Sequence, residues 1–249
     1  MESAYTATGV TDDSATESAL AHWPSQFRFW LTAVLFAALD LWSKNWAFSS
    51  LPLEDGRVII PGFLEFRRSL NDGAVFGSFT GYVGVFIVAS LFALLFVLYL
   101  FAKSTPRQRV LHVALALVLS GALGNLYDRA FIQADVAYIV KNDKKVTTFI
   151  GVRTNEASES VIRMGHWPDG RDPRTLNPER INLRRQGVVR DFIKLMPKFP
   201  KWVPIFGGYD TWPWVFNVAD AALVCGVAIL LLLCLFERNP RPAPIPLSS

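Results

Sequence analysis

The segment YVGVFIVASLFALLFVLYLFA, residues 82–102, contains no charged residue and no proline. An α-helix rises about 1.5 Å per residue, so a helix of this length matches the roughly 30 Å hydrocarbon core of a bilayer. A chain that carries such a segment has to remove it from water. The segment therefore predicts a membrane-spanning helix and limits the folds that the rest of the chain can adopt.

Three other segments of similar length, residues 27–48, 110–131 and 212–236, are apolar apart from isolated polar side chains. Only 18% of all residues are charged, whereas soluble domains usually carry about 25%. The sequence therefore predicts an all-α membrane core of four transmembrane helices, with helices 1–3 in residues 27–131 and helix 4 at the end of residues 187–236.

Both ends of the chain are predicted to be disordered tails. Residues 1–26 are rich in Ser, Thr and Ala and carry acidic side chains, so they lack the basic start of a cleavable signal peptide. Residues 237–249 are rich in proline. The first apolar segment is thus expected to stay in the protein as a signal anchor.

Basic residues predict the orientation. The connection KSTPRQR, residues 103–109, contains three of them, and Arg238 and Arg241 follow the last apolar segment. The positive-inside rule places these positions in the cytoplasm. With four spans, both termini are then cytoplasmic, and residues 50–80 and 132–210 lie outside.

The two outer regions are predicted to differ in structure. In residues 50–80, the runs RVII and FLEFRR are separated by turn dipeptides, which indicates a small extracytoplasmic β-sheet. Residues 132–186 are too long for a structureless loop. They contain the strand-like runs VAYIV and TTFIGV, and NPERINLRR is typical of a short helix or turn. We expect an inserted extracytoplasmic subdomain here.

Several polar side chains lie in or beside the apolar segments, where they are costly unless paired or facing a polar cavity. On helix 1, Asp40 and Lys44 are four residues apart and can neutralise each other. On helix 3, Asn125 and Arg129 share a face, with Asp128 next to Arg129. A helix-end cluster with an arginine reaching the headgroups would explain Arg129 but not the deeper Asn125.

Two further acids have apolar flanks. Asp191 lies in the strand-like run GVVRDFIKL, and Asp220 begins the last apolar segment, with Asn217 on the same helical face. An N-terminal carboxylate that caps the helix is a simple explanation of Asp220, but it leaves Asp191 unexplained. Two acids brought together in a partly desolvated site share a proton, and such a pair can activate water and protonate a leaving amine.

Chemistry of this kind needs no cofactor and no metal, and the sequence predicts neither. His22, His112 and His166 stand in unrelated regions, and Cys225 and Cys234 both lie in the last apolar segment. The net charge of +4 shows no basic patch of the kind that binds nucleic acid. Spacing by itself leaves open whether Asp191 and Asp220 meet.

Five blocks of the chain, in order, resemble the bacterial lipoprotein signal peptidase family, also called signal peptidase II. The blocks are DLWSK (40–44), NDGAVF (71–76), GALGNLYDR (121–129), GVVRDFI (187–193) and FNVAD (216–220). The resemblance implies a four-helix inner-membrane aspartyl endopeptidase that cleaves diacylglyceryl-modified prolipoproteins just before the lipid-bearing cysteine. It also implies contact with membrane lipids, and we expect a monomer.

Carried over to this sequence, the resemblance implies a catalytic pair formed by Asp191 and Asp220. It also implies positions that line or support the site, namely Asn71, Gly73, Asn125, Arg129, Asn217, Ala219, Asp40 and Lys44. The active site is then expected near the outer face of the membrane.

Two features depart from the family pattern. Arg190 precedes Asp191 where an aliphatic residue is usual, and alternation along a strand would point it to the opposite face. Residues 130–186 replace a connection of a few residues, and a lid, a docking element for substrate and a partner surface all fit them. Two other functions remain open: an ion-coupled transporter that uses Asp40, Asp191 and Asp220 as a relay, and a helical scaffold without activity.

Overall fold

The computed structural model describes residues 18–73, 83–141, 144–154 and 161–237. The predictions for residues 1–17, for part of the NDGAVF block and for the proline-rich end lie outside these ranges. Four helices are present in the described chain: α1 Trp23–Ser50, α2 Val83–Lys103, α3 Arg109–Phe131 and α4 Val218–Glu237.

Nine strands are described: β1 Arg57–Ile60, β2 Leu64–Asn71, β3 Gln133–Lys141, β4 Lys144–Arg153, β5 Ile162–His166, β6 Arg171–Leu176, β7 Asn182–Gly187, β8 Val189–Leu195 and β9 Val215–Phe216. They form two antiparallel sheets, a first sheet in the order β1-β2-β8-β9 and an inserted sheet in the order β6-β5-β4-β3-β7. The prediction of strands in both outer regions is confirmed.

Helix α1 begins four residues before the predicted boundary at residue 27. The imidazole of His22 accepts a hydrogen bond from the backbone N–H of Ser25, and Pro24 occupies the first turn, where its missing N–H costs nothing. Ala19 is fully buried, and its N–H donates to the carbonyl of Ser104. The predicted disorder is therefore wrong for residues 18–26.

Helices α3 and α4 contain stretches long and apolar enough to cross a membrane, Arg109–Phe131 and Val218–Phe236. In α2 the corresponding apolar stretch is shorter, Ile87–Lys103. The count of four spans therefore stays a prediction. Helix α4 begins at Val218 and not at residue 212, because residues 215–216 extend the first sheet as β9.

Helix α3 lies at the centre of the helical part and contacts all three other helices. Two glycines allow its close approach to the others. A Cβ on Gly121 would lie 2.4 Å from the carbonyl oxygen of Ala219, and one on Gly124 would lie 2.4 Å from Oδ2 of Asp40. The small side chains thus bring α1, α3 and the beginning of α4 together, as in other closely packed membrane helices.

The first sheet joins residues that are far apart in sequence. β2 pairs with β8 so that Ser69 lies opposite Asp191 and Asn71 opposite Val189. Phe192 packs with Ala47 and Phe48 at the end of α1, which fixes the sheet on the helices. The predicted small sheet therefore gains its central strand from the segment that carries Asp191.

The inserted sheet is formed by the strands between the end of α3 and the start of β8. Its entry and exit meet, because the N–H of Val188 donates to the carbonyl of Ile132 and Gln133 pairs with Gly187. A Cβ on Gly187 would lie 1.8 Å from the carbonyl oxygen of Arg129, so glycine permits this contact. The segment NPERINLRR contains a turn, as predicted, but its second half is strand β7 and no helix forms there.

Candidate active site

Asp191 lies in the middle of β8 with its side chain buried and held by two amides. Nδ2 of Asn217 donates to its Oδ1 (2.7 Å), and Nδ2 of Asn71 donates to its Oδ2 (3.2 Å). Asn71 is fixed in turn by the N–H of Gly73, which donates to its Oδ1 (2.9 Å). Gly73 has a φ of 94°, a backbone conformation that favours glycine.

Asp220 lies in the first turn of α4 and is bound in a reciprocal cap. Its N–H donates to Oδ1 of Asn217 (2.9 Å), and its Oδ2 accepts from the N–H of Asn217 (3.2 Å). This exchange between the residue before the helix and the first turn is a capping box. The capping role suggested by the sequence and a role in chemistry are therefore compatible, because Oδ1 of Asp220 faces another group.

That group is Asn125 of α3, whose Nδ2 donates to Oδ1 of Asp220 (2.7 Å). Oδ1 of Asn125 accepts from Nδ2 of Asn217 (3.1 Å), and Asn217 also holds Asp191. The two carboxyl groups are thus joined through two amide side chains. The structure thus brings Asp191 of β8 and Asp220 of α4 together.

Burial raises the pKa of Asp191 to about 8, and the neighbouring charge of Asp220 acts in the same direction. The hydrogen bonds from Asn71 and Asn217 oppose this rise but are too weak to cancel it. Asp191 therefore carries a proton at neutral pH. A protonated carboxyl beside a second carboxyl is the state that general acid–base chemistry requires.

Arg129 is half-buried at the end of α3 and interacts electrostatically with both Asp191 and Asp220. This position places a cation beside the pair. The sequence suggested two alternatives for Arg129, a headgroup contact or a site residue, and the interaction with both acids favours the second.

Asp40 and Lys44 form the predicted pair, with Nζ of Lys44 2.7 Å from Oδ2 of Asp40 and both side chains fully buried. Their contacts extend to other helices. Nζ of Lys44 donates to Oδ1 of Asn125 (3.2 Å), and Oδ1 of Asp40 accepts from the N–H of Ala219 (2.8 Å). The pair therefore fixes Asn125 and the start of α4, which hold Asp220.

Arg190 points away from Asp191, as the alternation of the strand predicts. Its Nη2 donates to Oδ1 of Asp128 (2.7 Å), its N–H donates to Oδ2 of the same carboxylate (2.9 Å), and its Nη1 donates to Asn45. The sequence analysis missed this partner. Asp128 is fully buried, and an acid in α3 together with an arginine in an apolar strand was the signal that could have suggested the pair.

The two acids line one cavity of about 530 Å³. Its wall includes the end of β2, the aromatic residues Trp212 and Trp214, and two residues of the inserted sheet, Thr147 and Ile150. Oγ1 of Thr147 donates to Oδ2 of Asp72 (2.6 Å), the residue that follows Asn71. The inserted sheet therefore reaches the candidate site, a position that fits the lid and the docking element suggested by the sequence.

His166 does not stand in isolation, contrary to the sequence analysis. Its imidazole lies near Glu54 and Asp172, and the possible ligand atoms of these three residues lie within 4.8 Å of one another. Glu54 is already paired with Arg174. Because this cation neutralises the carboxylate, the cluster is explained as an ion-pair group that joins the inserted sheet to the loop after α1.

The fold and the site define a class, a helical membrane protein with two carboxyl groups brought to one cavity by amide side chains. The model of the family described as Signal peptidase (SPase) II matches residues 32–236. The chain belongs to this family, and it is a protease.

Relatives cover much of the chain. It is 36% identical to the lipoprotein signal peptidase of Clostridium novyi over 43% of this chain and 73% of the relative. It is 24% identical to the lipoprotein signal peptidase of Desulfitobacterium hafniense strain DCB-2 over 84% and 93%, respectively. A bacterial membrane enzyme solved by the in meso method at 2.3 Å resolution shares the fold, with a TM-score of 0.55, 22% identity and coverage of 87% of this chain and 93% of that one.

Proposed function

We propose that the protein is an aspartyl endopeptidase that removes the signal peptide from diacylglyceryl-modified prolipoproteins, with cleavage just before the lipid-bearing cysteine. The observation that carries the proposal is the amide bridge that brings Asp191 and Asp220 to one cavity. Membership of the signal peptidase II family supports the choice of substrate.

The mechanism assigns different roles to the two acids. Asp191 carries a proton because burial raises its pKa, and Asp220 is the proposed general base. Asp220 removes a proton from a water molecule as its oxygen attacks the scissile carbonyl carbon, and the proton on Asp191 passes to the carbonyl oxygen. When the tetrahedral intermediate breaks down, the C–N bond cleaves and the leaving amine takes the proton from Asp220, while the gem-diol proton returns to Asp191.

Other residues hold the carboxyl groups of Asp191 and Asp220 in position. Asn71, Asn125 and Asn217 hold the carboxyl oxygens, while Gly73 and Ala219 supply backbone N–H groups to Asn71 and Asp40. The pair formed by Asp40 and Lys44 positions Asn125 through the hydrogen bond from Nζ of Lys44. Arg129 stabilises negative charge as it develops on the reacting groups. The proposed steps use no metal and no cofactor.

The proposed location is the bacterial inner membrane, with four spans, both termini in the cytoplasm and the active site near the outer face. The segment before β9 supports this placement. It exposes large apolar side chains, among them Trp202, Ile205, Phe206 and Tyr209. Aromatic side chains of this kind favour the interface between bilayer and water, so this segment would rest on the membrane beside the cavity. We expect a monomer in contact with lipids.

The test compares a diacylglyceryl-modified prolipoprotein with its unmodified form, each incubated with the purified full-length protein. We expect cleavage of the lipidated form, with the modified cysteine at the new N-terminus in mass spectrometry, and at least a hundredfold slower cleavage of the unmodified form. Asp220→Asn should abolish turnover while the protein stays folded. Normal turnover by this variant would disprove the catalytic assignment, and equal rates for both substrates would disprove the substrate class. A transporter or scaffold would cleave neither.

A further inference from the structure

A second cavity, of about 310 Å³, lies next to the cavity of the two acids. The two cavities share four lining residues, Ser69, Leu70, Thr147 and Ile150. They are therefore neighbours along one groove between β2 of the first sheet and β4 of the inserted sheet. The inserted sheet lines both cavities, with Thr147 and Ile150 contributing to each.

Arg68 lines the second cavity without a carboxylate partner among the described residues. Its Nη2 donates to the carbonyl of Leu51, but its Nε and Nη1 have no hydrogen-bond partner in the described part of the chain and are shielded from solvent. The nearby arginines differ, because Arg171 pairs with Asp169 and Arg174 with Glu54. Arg68 is the arginine of this group whose positive charge lacks an ion pair within the described structure.

The surroundings of Arg68 increase its demand for an anion. Its guanidinium carbon lies 6.0 Å from the centre of the Phe48 ring. Burial lowers its pKa, the positive charge of Arg171 adds to the effect, and the more distant charge of Asp169 opposes it without forming an ion pair. Arg68 is half-buried, but its shielded Nε and Nη1 donors lack partners among the described residues. Such donors cost free energy that a hydrogen-bonded carboxylate would recover. The cavity that Arg68 lines is large enough to admit a carboxylate side chain.

We propose that this groove binds the mature segment of the substrate beyond the scissile bond, and that Arg68 recognises an acidic side chain there. The inference rests on the proposed function, because it assumes that a polypeptide reaches the acids. Both sheets lie outside the helical part, where the polypeptide after the cleavage site must run. Arg68 precedes Asn71 by three residues, roughly 10 Å of strand. The acidic side chain should therefore lie about three residues from the cleaved bond.

The experiment scans a single Asp through the second to fifth mature residues of a lipidated substrate, with Asn as the neutral control and Lys as the oppositely charged one. It measures kcat/KM for the full-length protein and for Arg68→Gln, Arg68→Glu and Arg68→Lys. Wild type should prefer Asp over Asn about tenfold at one of these positions. Arg68→Gln should lose the preference, Arg68→Glu should reverse it in favour of Lys, and Arg68→Lys should keep part of it. The readout is a ratio of two substrates for each variant, so a general loss of activity cancels.

The matched control is Arg67→Gln, which removes an exposed arginine from the neighbouring position of β2 and should leave the preference intact. An equal preference in wild type and Arg68→Gln would overturn the proposal, and so would an equal loss in Arg67→Gln. The binding of each variant to vesicles of phosphatidylglycerol is measured as well. If the Arg68 variants change only this vesicle binding, the site binds lipid phosphate and the peptide proposal is wrong.

A binding measurement separates this proposal from the proposed function. Fluorescent peptides of the mature segment, with Asp or Asn at the preferred position, are titrated onto Asp191→Asn protein and onto the double variant with Arg68→Gln. Tighter binding of the Asp peptide that disappears in the double variant supports the subsite even if no cleavage is observed. Equal binding of both peptides to Asp191→Asn overturns it even if cleavage proceeds normally.

Discussion

Neighbouring residues of β8 face two polar clusters that differ in how their charges are balanced. On one face, Arg190 and Lys44 meet the carboxylates of Asp128 and Asp40, so two cations meet two anions in a fully buried group. On the other face, Asp191 is held by neutral amides and opens to a cavity.

The cluster balanced by ion pairs is suited to stabilising the fold, and the cluster held by amides is suited to proton transfer. A buried carboxylate that meets a cation belongs to an ion pair that is costly to break. A buried carboxyl that meets mainly amides takes up a proton, which it can then transfer. The same strand therefore holds a structural ion pair through residue 190 and, at residue 191, the acid that we propose to be catalytic. The following predictions test whether this division holds.

The largest effect is expected for Asp191→Asn, which should lower kcat by about a thousandfold or more because the transferable proton is lost. The amide of Asn keeps the size of the side chain, so the free energy of unfolding should change little below pH 4, where Asp191 is protonated in the folded and the unfolded state. Rates on a lipidated substrate and unfolding in detergent micelles measure the two quantities. Activity near the wild-type level would remove Asp191 from the mechanism.

Asp128→Asn makes the same substitution on the other face and should have the opposite outcome. It leaves Arg190 and Lys44 with one fewer anion, and breaking a buried pair typically costs about 3–5 kcal/mol of unfolding free energy. The folded fraction should keep a kcat within about tenfold of wild type, because the proton-transfer groups remain. A stable Asp128→Asn protein without activity would show that the two faces are not separate.

The pH dependence should follow the raised pKa of Asp191. Because that pKa is about 8 in the folded protein, kcat/KM should fall about tenfold per pH unit above this value. Stability changes in the same direction. Between the ordinary pKa of 3.8 and about 8, the folded state holds a proton that the unfolded state has released, so the stabilising contribution is complete below pH 4 and is lost as the pH rises to 8.

Asp191→Asn provides the control for this measurement, because it removes the titrating group. Its unfolding free energy should lack the decline between pH 4 and pH 8 that wild type shows. The same slope in both proteins would assign the titration to another residue.

Gly124→Ala should lower kcat by about tenfold, because it displaces α3 from α1 and α4 without removing a polar group. The added Cβ would lie 2.4 Å from Oδ2 of Asp40 and 3.1 Å from Cβ of Ala219, so α3 has to move away from α1 and α4. Such overpacking costs about 1–3 kcal/mol of stability. Gly226→Ala is the control, because its Cβ would meet Val118 at 2.7 Å in the same helix pair but farther along α4. A similar loss of kcat in both variants would mean that general packing, and not the spacing at Asp220, decides the rate.

The smallest effect is expected for Thr147→Val, which removes the hydrogen bond from the inserted sheet to Asp72. We expect about a fivefold rise in KM, because one hydrogen bond contributes roughly 1 kcal/mol. Thr148→Val removes a hydroxyl that donates to Ala137 within the inserted sheet and should change KM less than Thr147→Val. Thr147→Ser should restore the wild-type value. Equal KM values for all three would show that the contact with Asp72 does not affect substrate binding.

Much of this organisation was accessible from the sequence, for a physical reason. Apolar length indicates where a chain leaves water, and a polar side chain in such a segment stands out because it is costly. Asp40, Lys44, Asn125 and Asp220 were found in this way. Strand β8 was suggested by the apolar run around Asp191.

What the sequence did not provide are contacts between distant segments. Asp128 and Arg190 are 62 positions apart. Each is a charge in an apolar segment, but neither segment specifies which opposite charge it meets. Thr147 lies 75 positions from Asp72, in a region where hydroxyl residues are common. His166 seemed isolated because its neighbours come from another strand and from the loop after α1. Periodicity describes one element at a time, so it cannot reveal which elements meet.

The hydrogen bond between Val188 and Ile132 has a consequence for how the sequence of this protein can evolve. Because the ends of the inserted sheet already touch, the segment between them can grow, shrink or be exchanged without moving α3 or β8. Selection on substrate recognition can then act on the insertion while selection on chemistry acts on the helices. A single pair of backbone atoms thus lets two parts of one enzyme evolve at different speeds.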